Sequence, residues 1–147
     1  MKFSGSVEIA KSRSEVVGYF KDPSYLGEYQ DGFVKKELVS GESGEKGAIS
    51  KMYYKYGKRD MELTETITAN RLPDSFEAFY HHKHMDNTMS NHFSALDKQR
   101  TLYEARIEYL EFKSFMPKLM SFIMPGMFKK QTQKWLDQFK LFAESQV

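Results

Sequence analysis

The sequence predicts an α+β fold in which a seven-stranded, curved antiparallel sheet wraps around a long C-terminal helix. Three observations predict it. From Phe33 to Phe112 the chain runs in β-branched and aromatic stretches that alternate apolar and polar residues, over about eighty positions. Turn residues break those stretches at hairpin spacing. After Phe112 the period becomes helical, and Trp135, Leu136, Phe139 and Phe142 carry an apolar stripe.

Residues 2–10 form the first expected strand, with Phe3, Gly5, Val7 and Ile9 on one side and Ser4, Ser6 and Glu8 on the other. Ser12 or Ser14 then offers a helix N-cap, and Glu15 suits a first turn. Val16, Val17, Tyr19 and Phe20 give a short helix ending near Asp22-Pro23. A second short helix, 24–29, closes at Asp31-Gly32. Six strands follow at 33–41, 47–56, 59–69, 75–84, 88–96 and 101–112. Turns are expected at Gly57-Lys58, Asn70 to Pro73, Asp86-Asn87 and 98–100.

Consecutive hairpins make a meander, and a sheet of this size twists and curls. Its concave face must be covered. Only the C-terminal segment is long and apolar enough. Leu119, Met120, Ile123, Met124, Met127 and Phe128 come first, but Pro125 disfavours helix at Met124. The expectation is a short helical piece, a break near Pro125-Gly126, and one long final helix. Residues 1–147 are read as one domain.

The 147 residues are 40% hydrophobic and 15% aromatic, which argues against disorder. There is no cysteine, so thiol nucleophiles, disulfides and cysteine-based metal sites are excluded. No apolar run has the length of a signal peptide or of a membrane span, and a cytoplasmic location is expected. A net charge of +2 gives no reason to expect nucleic acid. From Lys113 onward six lysines face Asp137 and Glu144, so the C-terminal part is basic as well as apolar. Its lysines read as a solvated face, with room for transient contact with an anionic membrane.

Face assignment locates a candidate site. In strand 59–69, Met61, Leu63, Ile67 and Ala69 alternate with Glu62, Thr64, Thr66 and Thr68, which places Glu65 on the buried side. A tight turn at Gly57 pairs Tyr54 with Met61, Met52 with Leu63 and Ser50 with Glu65. A turn at Asp86-Asn87 pairs His82 with Asn91, Tyr80 with Phe93 and Ala78 with Ala95, and the next strand adds Tyr103, Ala105, Ile107 and Tyr109. The resulting inner face is apolar apart from Ser50, Glu65, Tyr80, His82 and Asn91. A buried polar group costs about 1–3 kcal/mol unless partnered, so a ligand cavity accounts for them better than a plain core.

Several residues carry a resemblance. The Val7-x-Ile9 strand followed by Glu15-Val16-Val17, Gly47 opening the third strand, and Trp135-Leu136-x-x-Phe139-Lys140-x-Phe142-x-Glu144 at the end are similar to the START-related, pollen-allergen-like (SRPBCC) superfamily. The polyketide cyclase/dehydrase and lipid-transport group fits best. The resemblance spans nearly the whole chain. It implies a helix-grip fold with a hydrophobic cavity between sheet and final helix. Members of that superfamily bind lipids, sterols, polyketides, plant hormones or quinones, and some are enzymes.

The expected function is binding of a small hydrophobic ligand, for transport or sequestration, with no cofactor and no metal. The expected lining is Ser50, Met52, Tyr54, Leu63, Glu65, Tyr80, His82, Asn91, Phe93, Tyr103, Met120 and Met124. One alternative is a cyclase, dehydratase or hydrolase with Glu65 and His82 as acid and base. Another is an interaction module, since the resemblance extends to activators of a heat-shock chaperone. His81, His82, His84 and His92 gather on one hairpin, with His92 expected opposite His81. They divide between its two faces, which does not make a metal site. The stretch 41–47 lacks the Lys-Ser/Thr pair of a phosphate loop and reads as a hairpin connection.

Overall fold

Alternation at the N-terminus becomes strand β1 (Lys2–Ile9), followed by helix α1 (Arg13–Lys21) in the computed structural model, which describes residues 1–113 and 125–147. Ser12 starts α1 with a capping box. Its hydroxyl accepts from the Glu15 backbone N–H and the Glu15 carboxylate accepts from the Ser12 N–H. Asp22 ends α1, and a 3-10 turn at Pro23–Tyr25 leads into helix α2 (Leu26–Tyr29).

Six strands follow: β2 (Phe33–Ser40), β3 (Ile49–Tyr56), β4 (Arg59–Arg71), β5 (Ser75–His81), β6 (Met85–Asp97) and β7 (Arg100–Phe112). The seven strands form one antiparallel sheet in the order β1-β7-β6-β5-β4-β3-β2. The last helix, α3, runs Pro125–Ser145. The expected break near Pro125-Gly126 falls at the edge of the described residues, where α3 starts. The short helical piece expected before it lies outside the described residues.

The β3–β4 register is the one the sequence predicts, with Ser50 opposite Glu65, Met52 opposite Leu63 and Tyr54 opposite Met61. Gly57, at φ 64, opens the two-residue turn that fixes it, in the left-handed region where glycine has no steric penalty.

The β5–β6 register differs from expectation. Tyr80 faces Asn87 rather than Phe93, Ala78 faces Met89 rather than Ala95, and Asn91 faces Phe76 rather than His82. His92 lies opposite Ser75, not His81. The turn falls at residues 82–84, because Asp86 is held in its strand. Its carboxylate meets His81 Nδ1 and Lys113 Nζ, each at 2.8 Å. The turn is closed locally: the His84 N–H donates to His82 Nδ1 at 3.1 Å and the His82 N–H to the Met85 carbonyl at 3.0 Å. The displacement is an even number of residues, so the strand positions that face inward are unchanged, and only His82 leaves the strand for the turn.

Helix α3 lies along β1 and reaches β7. Gly5 allows the approach: a Cβ there would come within 2.7 Å of Gln133 Oε1 and 2.9 Å of Leu136 Cδ1. Leu136, Phe139, Phe142 and Ala143 are the buried apolar face, with Thr132 beside them. Trp135 is turned aside and stays 36% exposed, because the stripe that meets the sheet passes through Thr132, Leu136 and Phe139. Val7, Ile9, Val16, Val17, Phe93, Tyr103 and Ala105 complete this closed half of the core. Among the described residues, no helix is long and apolar enough to cross a membrane.

Candidate functional site

The other half of the inner face is built differently. Leu26, Met52 and Tyr54 form a second, smaller cluster, with Tyr29, Phe33, Met61, Leu63 and Tyr80 packed against it. Met61, Leu63, Tyr80 and Met89 are only half-buried, although strand register turns all four inward. Apolar and aromatic side chains thus remain accessible on the concave side, away from the stretch of sheet that α3 covers.

Glu65 sits at the centre of this surface and is 4% exposed. The alternation of β4 turns it inward, between Leu63 and Ile67. Tyr80, directly opposite on β5, donates its hydroxyl to Glu65 Oε2 at 2.7 Å. Burial raises the Tyr80 phenol well above its ordinary value, and the neighbouring carboxylate adds to the effect. The ring keeps some accessibility, but the hydroxyl is withdrawn from water and stays protonated as a donor.

Lys36 supplies the counter-charge. It points inward from the edge strand β2, and its Nζ lies 2.8 Å from Glu65 Oε1. The approach is off the hydrogen-bonding direction, so Oε1 is paired by charge without an aligned donor. Ser50 is buried on the opposite side of Glu65. Tyr54 donates to Gln30 Oε1 at 2.7 Å, and burial, with smaller contributions from Tyr56 and Glu65, raises its phenol. Tyr29 meets Phe139 edge to face at 4.9 Å and bridges the two halves of the core.

Asn91, Phe93 and Tyr103 belong to the closed half. Tyr103 donates to Asn91 Oδ1 at 2.6 Å, its ring is 4.6 Å from that of Phe93, and the Asn91 amide donates to the Phe76 carbonyl at 3.3 Å.

His82 lies beyond the end of β5, in the turn, with its ring 5.2 Å from that of His84. Burial, with His84, Lys83, His81 and Lys113 nearby, holds its imidazole below the usual value. The group that register sets beside Glu65 is therefore Tyr80, not His82. Met120 and Met124 lie outside the described residues.

Lys36, Tyr29 and Gln30 escape sequence reasoning. Register shifts at Phe33/Lys35 and Leu38/Ser40 break the alternation of β2 that would have shown Lys36 facing inward. Tyr29 and Gln30 sit at the end of a helix too short for a period to emerge.

Among the described residues, no group of three or more His, Asp or Glu side chains is placed to hold a metal ion. What the site offers is a buried acceptor, a charged donor and a protonated phenol within an aromatic wall. Such a set can orient a polar group on an otherwise apolar molecule.

No protein family matches the chain by sequence, and no curated protein does. Solved structures match along its full length. The Zhui aromatase/cyclase from Streptomyces sp. R1128 is similar at a TM-score of 0.78 and 11% identity, over 98% of this chain and 93% of that one. Ara h 8.0201 is similar at 0.75 and 10%, over 99% of each chain. Norcoclaurine synthase from Thalictrum flavum, in complex with dopamine and hydroxybenzaldehyde, is similar at 0.69 and 17%, over 100% of this chain and 88% of that one. At these identities the likeness is one of fold, and it agrees with the strand order and the long last helix described above. The chain has a helix-grip fold, the fold it shares with these structures.

Proposed function

We propose that the chain binds a small hydrophobic ligand between the β3–β6 part of the sheet and the C-terminal helix. The observation that carries this reading is Glu65, a buried carboxylate held by Tyr80 and Lys36 amid half-buried apolar side chains. A core with no guest gains little from a buried ion pair, because desolvating two charges offsets most of their attraction. A ligand site does gain, since a few polar groups in an apolar wall set orientation.

Met52, Leu63 and Tyr80 form the wall nearest Glu65, with Ser50 and Tyr54 behind it. Phe93, Asn91 and Tyr103 close the floor, and His82 stands at the rim. The role in this reading is transport or sequestration; a small-molecule guest on this fold has a parallel in the similar norcoclaurine synthase structure, which is in complex with dopamine and hydroxybenzaldehyde. The cysteine-free sequence suits a reducing cytoplasm, and Lys129 and Lys130 at the start of α3 suit transient contact with an anionic membrane. Native mass spectrometry of protein purified without denaturation tests the reading. A co-purifying small molecule, or saturable uptake of an added apolar one, is expected. A protein that carries nothing and takes up nothing contradicts it.

Glu65 and Tyr80 also support a second reading, acid–base chemistry on a bound substrate, because a carboxylate and a protonated phenol share one hydrogen bond. Turnover abolished in Glu65→Gln, with ligand uptake retained, would favour it.

A further inference from the structure

Glu65 has two carboxylate oxygens, and they are not equivalent. Oε2 accepts from the Tyr80 hydroxyl at 2.7 Å. Oε1 faces Lys36 Nζ at 2.8 Å without an aligned hydrogen bond, although the side chain is 5% exposed. A buried carboxylate oxygen normally finds a well-directed donor, so this one has capacity to spare. We propose that Glu65 Oε1 recognises a hydroxyl donor on the ligand, and that the site prefers a neutral, hydroxyl-bearing aromatic molecule over the matching carboxylate or ammonium. This rests on the ligand-binding reading above.

The charge balance gives the preference its sign. Lys36 and Glu65 together are neutral. A ligand carboxylate would bring a second negative charge to Glu65, with one ammonium left to serve both. A ligand ammonium would bring a second positive charge to Lys36. A neutral hydroxyl adds a hydrogen bond to a charged acceptor and creates no repulsion. The wall supplies the aromatic preference. Tyr54 and Phe33 meet edge to face at 5.8 Å, and Tyr29 and Tyr80 pack against the same cluster. Lys36, a quarter exposed on an edge strand, stays beside Glu65 and keeps it neutralised, and Tyr80 pins the carboxylate from the other side.

Equilibrium dialysis of the full chain near neutral pH against naphthalene, 2-naphthol, 2-naphthoate and 2-naphthylmethylamine, one at a time, tests the proposal. 2-Naphthol should be retained about tenfold more tightly than each of the other three, the worth of one hydrogen bond to a charged group. Glu65→Gln leaves the ammonium of Lys36 unpaired, so 2-naphthoate should then bind at least as well as 2-naphthol. Lys36→Met should keep the preference for 2-naphthol over 2-naphthoate. Equal retention of naphthalene and 2-naphthol by the unmodified chain would overturn donor recognition and leave the apolar site standing. Retention of none of the four would overturn both. Should either variant fail to fold, the ranking on the unmodified chain decides alone.

Discussion

Tyr103 donates its hydroxyl to Asn91 Oδ1 across 2.6 Å, and both side chains are buried. The contact ties β7 to β6, and the Asn91 amide carries it on to β5 through the Phe76 carbonyl. Burial, with a smaller contribution from Tyr29, raises the Tyr103 phenol above its ordinary value, so the donor proton stays in place. Tyr103→Phe removes the donor and leaves Oδ1 unpaired in the closed half of the core. The expected loss is about 1–3 kcal/mol, read from guanidinium unfolding. An unchanged midpoint would mean that Asn91 finds another partner.

Gly5 is a point of close approach between β1 and α3. A methyl group there meets the movable end of Gln133 and the Leu136 side chain. Gly5→Val therefore overpacks the seam between sheet and helix, and should cost about 1–3 kcal/mol of stability by chemical denaturation. Gly18→Ala is the control. Its Cβ would meet nothing within 4 Å, and helix propensity favours alanine over glycine.

The two faces of α3 should respond oppositely to truncation. Phe139 is buried against the rings of Phe20, Tyr29 and Tyr103, and Phe139→Ala should cost about 3–5 kcal/mol. Leu141 is 69% exposed, and Leu141→Ala should fall within about 0.5 kcal/mol of the unmodified chain. Thermal or guanidinium unfolding compares them, and similar losses would contradict the placement of the helix.

His82 gives the fold a pH dependence. Its folded pKa lies below the ordinary 6.5, so the unfolded chain takes up the proton first as pH falls. The stability it contributes is fully present above 6.5 and is lost as pH drops through the folded value. Asp86 acts in a lower window. Burial opposes its ionisation, but Lys113 and His81 outweigh that and hold its pKa below 3.8. Unfolding midpoints at about pH 7.5 and about pH 5.5 should therefore differ, and His82→Gln should narrow the gap. A gap unchanged by the substitution would assign the dependence to other groups.

Much of this architecture is legible in the sequence, and the exceptions have physical causes. The β3–β4 register follows from Gly57, because a two-residue turn leaves one pairing. The β5–β6 turn is misplaced because Asp86-Asn87 has turn composition, whereas the contacts that hold Asp86 in a strand come from His81 and from Lys113, far along the chain. Alternation survives that error, since period-two geometry fixes faces even where it does not fix partners. Glu65 is legible as an inward carboxylate for that reason. Its partner Lys36 is not, because the bulges of an edge strand hide the alternation. Trp135 shows the limit for the helix: several stripes fit its apolar residues, and the approach at Gly5 decides which one is buried.

The central claim is that an apolar ligand occupies the concave side of the sheet beside Glu65. Methyl NMR of the full chain, titrated with 2-naphthol, tests it most directly. The Met52, Leu63 and Met89 methyls face inward, and the Thr64 and Thr66 methyls lie on the opposite face of the same sheet. Saturable shifts at the first three, with the two threonines unmoved, are predicted. Shifts confined to the threonines, or none at any of the five, would contradict it.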